Sequence, residues 1–320
     1  MAANYGSDSD QMSDDDLFGN DNVFDLINLR EGERIFRDLF GDSDDEEDFD
    51  GFDDVYSPPN FQEWVWQKDY NGGAMRDFAE ETGPKNIDTE HYSLHRQVSV
   101  DEAMIPFKGR LSIKQYMRDR PVKFGVKVWV LADAVTGYCS NFEVYAGKYG
   151  TVVDRRLGLS GQVVVTLCKE ILGKGHIIFT DNFYTSPTLA DYLLLKETYL
   201  CGTVRTNRKG YPTVQLPTGR DATRLDRGSI DWVARGDFVA TMWKDNRPVY
   251  FLSTGFPPEE EGLTTKRRKK DGSREELAVT PAVVEYGKYM GGVDKLDQNT
   301  RVNKSKKTMK RYRRVEIKLR

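Results

Sequence analysis

Four aspartates stand where carboxylates can do chemistry. Asp101 follows an alternating run in which Gln97 and Ser99 stand against Val98 and Val100. It therefore ends a half-buried strand, on the face opposite those valines. Asp181 follows the apolar run Ile177–Phe179, at the edge where an open α/β sheet presents its ligands. Asp294 and Asp297 open the last helix and, three apart, share one of its faces. If the strands of Asp101 and Asp181 are neighbours, their carboxylates meet at one edge. Four acidic side chains there suit a pair of hard cations, held by few protein ligands and a substrate phosphate. Each aspartate taken alone reads instead as a cap or turn residue, since Asp181 precedes Asn182 and Asp294 follows Gly291–Gly292.

Other chemistry-bearing residues are fewer. His91 and His95 have the four-residue spacing of a zinc pair on a helix, but no third ligand accompanies them, and a structural or surface role is expected. Lys266, Arg267, Arg268, Lys269 and Lys270 form a basic run, readable as an import signal, a phosphate-contacting loop or a solvated charge run. The chain has no Gly-x-Ser-x-Gly, no phosphate-binding Gly-Lys-Ser/Thr loop and no Cys/His nucleophile arrangement.

The elements that must position these residues can be read from periodicity. Phe124–Leu131 is a long apolar strand, Val135–Tyr138 a turn, and Ser140–Ala146 a third strand. Val163, Val164, Leu167, Ile171 and Leu172 recur at helical spacing, with Ser160 as N-cap and Gly173 as stop. Ile177–Phe179 is a short buried strand, Pro187–Lys196 a helix and Tyr199–Thr206 another strand. Three strands, helix, strand, helix, strand predicts an α/β fold with a mixed sheet and flanking helices. Residues 207–280 predict a β-rich insertion, with strand candidates at Asp231–Met242 and Pro248–Ser253 and a mobile loop from Pro257 to Glu276. A final helix starts near Gly292 and runs into 301–320, where ten of twenty residues are Lys or Arg.

Several blocks, in order, resemble the piggyBac transposases and their domesticated relatives. Ser99–Arg110 (SVDEAMIPFKGR) is similar to the first catalytic block of that family, and Arg120–Trp129 (RPVKFGVKVW) follows at the family's spacing. Thr180–Ser186 (TDNFYTS) looks like the second block, Gly202–Asn207 (GTVRTN) like the strand after it, and Met290–Gln298 (MGGVDKLDQ) like the third. The resemblance covers about residues 91–315. It implies an RNase H-like catalytic core with a catalytic triad at Asp101, Asp181 and Asp294 and Asp297 as a fourth acidic neighbour. It also implies a two-metal Mg²⁺ site, with Mn²⁺ as the substitute. The implied activity is cut-and-paste transposition of double-stranded DNA, with hairpin formation at the ends and joining at TTAA sites. The implied location is the nucleus. DNA-phosphate contacts fall to Lys266–Lys270 and to Lys304, Lys306, Lys307, Lys310, Arg311, Arg313 and Arg314.

Composition frames these expectations. The 320 residues carry a net charge of −4, but residues 1–54 hold 19 acidic and 3 basic side chains, leaving 32 and 44 for the rest. An acidic tail on a basic body points to a polyanionic partner, while a solubilising disordered tail explains the same numbers. No run is long and apolar enough for a membrane helix, and the first residues lack a secretory pattern. Cys139, Cys168 and Cys201 are too scattered for a zinc module and suit a reducing compartment. The expected organisation is a disordered acidic tail over 1–56, a linker over 57–90 and the first part of the core over 91–206. The insertion then spans 207–280, and the last catalytic helix with a basic end spans 281–320. Full-length family members dimerise and carry a large helical region before the first block. Only about 35 residues fill that place here, so a homodimer and full transposition are not expected of this chain. A non-catalytic DNA-associated regulator is the rival reading.

Overall fold

The computed structural model describes residues 56–80, 82–84, 92–107, 109–117, 123–146, 156–269 and 272–302. The tail before Tyr56, His91, Lys270 and the basic residues from Lys304 to Arg314 lie outside the described residues.

In chain order the strands are β1 (Gly83–Pro84), β2 (Tyr92–Ser93), β3 (Gln97–Pro106), β4 (Lys114–Tyr116), β5 (Phe124–Asp133), β6 (Cys139–Val144), β7 (Ile177–Thr180) and β8 (Tyr199–Thr203). There follow β9 (Ile230–Arg235), β10 (Phe238–Lys244), β11 (Pro248–Thr254), β12 (Thr264–Arg268) and β13 (Arg274–Ala278). The α-helices are α1 (Gly158–Cys168), α2 (Pro187–Leu195), α3 (Gly219–Arg224), α4 (Pro281–Tyr289) and α5 (Gly292–Val302). Nine strands form one mixed sheet in the order β4-β5-β3-β7-β8-β11-β10-β9, with β6 also paired to β5. β3 is central: it runs antiparallel to β5 and parallel to β7, and β7 runs parallel to β8.

Alternation along β3 explains why both faces of the sheet are covered. Val98 and Val100 point into a core built with Trp129, Leu131, Ile178 and Leu200, covered by Val163, Val164 and Leu167 of α1 and Leu189 and Leu193 of α2. Ser99, Asp101 and Ala103 point the other way, toward the side covered by α4 and α5. There Ala103, Val128 and Val130 pack on Val293, and Phe179 and Cys201 pack on Ala282. A strand covered on both faces must be apolar on both, which is why β5 reads as an unbroken run from Val128 to Ala132. Ser186 caps α2 by accepting from Leu189 N at 3.1 Å, and Pro187 starts that helix.

Several elements differ from expectation. β3 continues to Pro106, so Asp101 lies mid-strand rather than at its end. α1 begins at Gly158 with Leu157 at the cap, and Ser160 sits inside its first turn. The strand read over Asp231–Met242 is two strands, β9 and β10, turned at Gly236 where φ is 56°. Glycine adopts that left-handed backbone readily, which lets the chain reverse within two residues. The loop expected from Pro257 to Glu276 contains the hairpin β12–β13. β9–β11 extend the same sheet through the pairing of β11 with β8. The stretch after Tyr56, read as a linker, is packed here: Trp64 and Trp66 are buried in the main core, and Gln67 exchanges two backbone hydrogen bonds with Ala234. Among the described residues no helix is long and apolar enough to cross a membrane.

Candidate functional site

The site begins as a row across the sheet. Val100 pairs with Thr180 and Thr180 with Gly202, on three adjacent parallel strands. One step further along lie Asp101, Asp181 and Thr203, flanked by Val130 opposite Asp101 and Phe251 opposite Thr203. Neighbouring strands are about 4.8 Å apart, and residues at one level of parallel strands point to one face. Asp101, Asp181 and Thr203 therefore project together on the side covered by α4 and α5. Tyr286 of α4 stacks edge-on against Phe251 at 5.4 Å, with its hydroxyl 3.5 Å from Thr203 Oγ1. Burial, and to a smaller degree the charges of Asp181 and Asp101, push the Tyr286 phenol up to about 12.

Asp181 is held by a tight turn at the end of β7. Its Oδ1 accepts from Phe183 N at 2.8 Å, and its carbonyl accepts from Thr185 N at 3.1 Å and Thr185 Oγ1 at 2.8 Å. The Thr180 and Thr185 hydroxyls are 2.7 Å apart directly over Gly202. A Cβ at 202 would collide with Thr185 Oγ1 and lie 2.5 Å from the Thr180 carbonyl oxygen, so glycine is what lets the turn close onto β8. Arg208 donates to the Asn182 and Phe183 carbonyls, and Arg205 Nε donates to Asn182 Oδ1 at 3.3 Å. Burial raises the Asp181 carboxyl above the usual range and the Glu102 carboxylate adds to that, while backbone donors and Arg205 oppose it.

Glu102 follows Asp101 and projects to the other face. There it accepts from the Tyr184 hydroxyl at 2.9 Å and pairs with Lys127 at 3.4 Å. Tyr184 is fully buried, and burial with the Glu102 charge raises its phenol strongly. This partly buried Tyr184–Glu102–Lys127 chain fixes the strand segment that carries Asp101.

α5 reaches the same face as Asp101. Gly292 sits on Ser99, where a Cβ would collide with Ser99 Oγ and lie 3.0 Å from Ala134 Cα. Lys295 Nζ donates to the Ala134 carbonyl at 2.7 Å and fixes the helix against the turn after β5. Asp294 lies exposed in the first turn and Asp297 is half-buried one turn on. The structure thus sets Asp101 and Asp181 at one level of adjacent strands and docks the helix that carries Asp294 and Asp297 on the same face of the sheet. Among the described residues, though, no three His, Cys, Asp or Glu side chains are gathered closely enough to hold a metal ion. The Asp101–Asp181 pair fits a hard cation of the Mg²⁺ kind, which takes oxygen ligands, uses one or two carboxylates and leaves the rest to phosphate and water.

The basic hairpin is less free than its sequence suggests. Lys266 pairs with Glu276 at 3.6 Å and Lys269 with Glu275 at 3.2 Å, both at the surface, and Arg268 is exposed. Arg267 instead lies over the Trp243 ring at 5.3 Å and approaches Asp245 at 4.0 Å, a packing role. His95 is bound by its Nδ1 to the buried Asp133 at 2.8 Å, which accounts for it structurally. The residues that sequence reasoning missed are Glu102, Tyr184, Thr203, Arg205 and Tyr286. Glu102 and Tyr184 lie inside the blocks quoted above; Tyr286 carries no local signal.

Comparison with known proteins agrees with this architecture. A family model described as "Transposase IS4" matches residues 85–319. Human PiggyBac transposable element-derived protein 3 is 29% identical over 206 residues, 63% of this chain and 34% of the relative. Human PiggyBac transposable element-derived protein 2 is 29% identical over 215 residues, 66% of this chain and 36% of the relative. The chain thus spans about a third of the length of the curated relatives it matches. A cryo-EM structure of a piggyBac transposase synaptic complex with hairpin DNA aligns with TM-score 0.54 and 28% identity, covering 66% of this chain and 41% of the other. With a mixed sheet that matches a piggyBac transposase and a family model spanning most of its length, this chain belongs to the transposase IS4 family, among the piggyBac-type proteins.

Proposed function

We propose that the chain carries the phosphodiester-cleaving core of a piggyBac-type DNA transposase. The observation that supports this most is the shared level of Asp101 and Asp181 on adjacent parallel strands, on the face that also receives the helix of Asp294. Strands β6-β5-β3-β7-β8, the first three antiparallel and the last two parallel to β3, support an RNase H-like core. Asp101 and Asp181 would hold the cation, with Asp294 and Asp297 supplying further carboxylates from α5. A bound Mg²⁺ or Mn²⁺ would supply Lewis acidity at phosphorus and a more acidic water. The chain's own residues set the stage: Arg208 and Thr185 fix the Asp181 turn, and the Glu102–Tyr184 bond fixes the Asp101 strand.

Double-stranded DNA is the partner this reading requires, and the nucleus the compartment. Lys266, Arg268 and Lys269 of the hairpin offer phosphate contacts. The test is nicking of supercoiled plasmid with Mg²⁺ or Mn²⁺, run beside Asp101→Asn and Asp181→Asn. Nicking lost in both variants is the expected result. DNA binding without nicking in the parent chain would instead favour a DNA-associated regulator, and excision of a TTAA-flanked donor would extend the reading to complete transposition.

A further inference from the structure

We propose that the Tyr286 hydroxyl, positioned by Thr203, is a hydrogen-bond donor to a non-bridging oxygen of a bound phosphodiester. This rests on the reading of Asp101 and Asp181 as the cation-binding pair. Three observations lead to it. Thr203 takes the third place in the level of Asp101 and Asp181, so its hydroxyl is on their face and one strand beyond Asp181. Tyr286 enters from α4 with its ring fixed edge-on to Phe251, the residue paired with Thr203, and its hydroxyl meets Thr203 Oγ1 at 3.5 Å. Tyr286 also packs against the cluster of Phe179, Cys201 and Ala282, on the same face of the sheet as Asp101 and Asp181.

The chemistry of the row is complementary. Two carboxylates accept and bind cations, but they repel a phosphate; a neutral hydroxyl beside them donates. Asp101 and Asp181 would hold a cation that draws a phosphodiester to this edge, and Tyr286 would then offer the oxygen turned toward β8 a donor rather than a third anion. Burial keeps the phenol protonated through the whole physiological range, so it donates without titrating. Thr203 Oγ1 can accept from Tyr286 or donate to it. In the bound state Thr203 is a positioning residue, and Tyr286 is the group that touches the ligand.

The experiment separates this inference from the reading beneath it. Mn²⁺ binding is followed by electron paramagnetic resonance in the parent chain, Tyr286→Phe, Thr203→Val, Thr203→Ser and Asp181→Asn. Affinity of the Mn²⁺-loaded protein for the dinucleotide d(TpT), and for its neutral methylphosphonate analogue, is followed by ³¹P relaxation. Tyr286→Phe should bind Mn²⁺ like the parent but bind d(TpT) about tenfold more weakly, the usual scale for a hydrogen bond to a charged group. It should lose nothing toward the methylphosphonate isomer that lacks the contacted oxygen. Thr203→Val should show a partial loss that Thr203→Ser restores. Equal losses toward both dinucleotides, or no loss toward d(TpT), would overturn the assignment of Tyr286. Mn²⁺ binding that is absent, or indifferent to Asp181→Asn, would overturn the cation site and the inference with it.

Discussion

Asp101 and Asp181 lie at one level of adjacent parallel strands, one residue past the pairing of Val100 with Thr180, and burial raises the Asp181 carboxyl. A carboxyl whose folded-state value is raised is protonated more readily when folded than when unfolded. Stability therefore falls as pH rises from the unfolded carboxylate range through the raised folded value, and the deficit persists at neutral pH. Asp181→Asn removes the charge and keeps the shape. It should raise the melting temperature at pH 7, and that gain should vanish below about pH 4. Adding Mg²⁺ should stabilise the parent and leave the variant unmoved. Calorimetry across pH checks both, and a variant less stable than its parent at pH 7 would contradict the argument.

Asp133 has the opposite sign. It is fully buried, and burial alone would raise its carboxyl, but donors from His95, Thr136 and Val135 outweigh that and hold it below the usual range. The stability it contributes is present above the unfolded carboxylate value and is lost as pH falls through the depressed folded one. Asp133→Asn turns an amide donor toward these groups and should cost about 1–3 kcal/mol at pH 7. The difference from the parent should shrink on acidification below about pH 4, the reverse of the Asp181 result. Denaturant titrations at two pH values read it directly.

Gly287 of α4 and Gly292 of α5 behave differently under the same substitution. Gly292→Ala drives a methyl into Ser99 and the backbone of Ala134, so it should cost about 1–3 kcal/mol and lower divalent-ion affinity by displacing α5. Gly287→Ala, on α4 with nothing within 4 Å of a new Cβ, should be neutral or stabilising by about 0.5–1 kcal/mol. Urea unfolding of the pair distinguishes helix propensity from helix–sheet contact.

The hairpin divides its charges between two tasks. Lys266→Ala with Lys269→Ala should leave stability within about 0.5 kcal/mol and reduce the slope of log affinity for duplex DNA against log salt by about 2. Arg267→Ala should lower stability, through lost contact with Trp243 and Asp245, and move that slope less. A slope unchanged in the double variant would remove the hairpin from the DNA surface.

The sequence made the alternation of Val98 and Val100 and the apolar run of β5 legible because each face of a strand records its own environment. It left the adjacency of the Asp101 and Asp181 strands as a condition, and the parallel pairing of β3 with β7 meets that condition. The two-residue turn at Gly236 was illegible because β10, buried along its whole length, shows no alternation whose phase could mark the break. The hairpin β12–β13 was hidden by a surface strand of Thr, Lys and Arg, which looks like a polar loop although Arg267 lies over the buried Trp243 ring. Glu102, Thr203 and Tyr286 escaped notice for a different reason. Their significance lies in register and in the docking of α4, and neither is a property of local pattern.

The pairing of Phe251 with Thr203 has a consequence for any shortened version of the protein. Because β11 supplies the hydrogen bonds for the outer side of β8, removing residues 207–280 would leave β8 as an open edge, with unpaired backbone groups immediately beside the aspartates. Such a deletion would invite a second chain to add a strand there, so the trimmed protein should associate or precipitate rather than persist as a smaller folded chain.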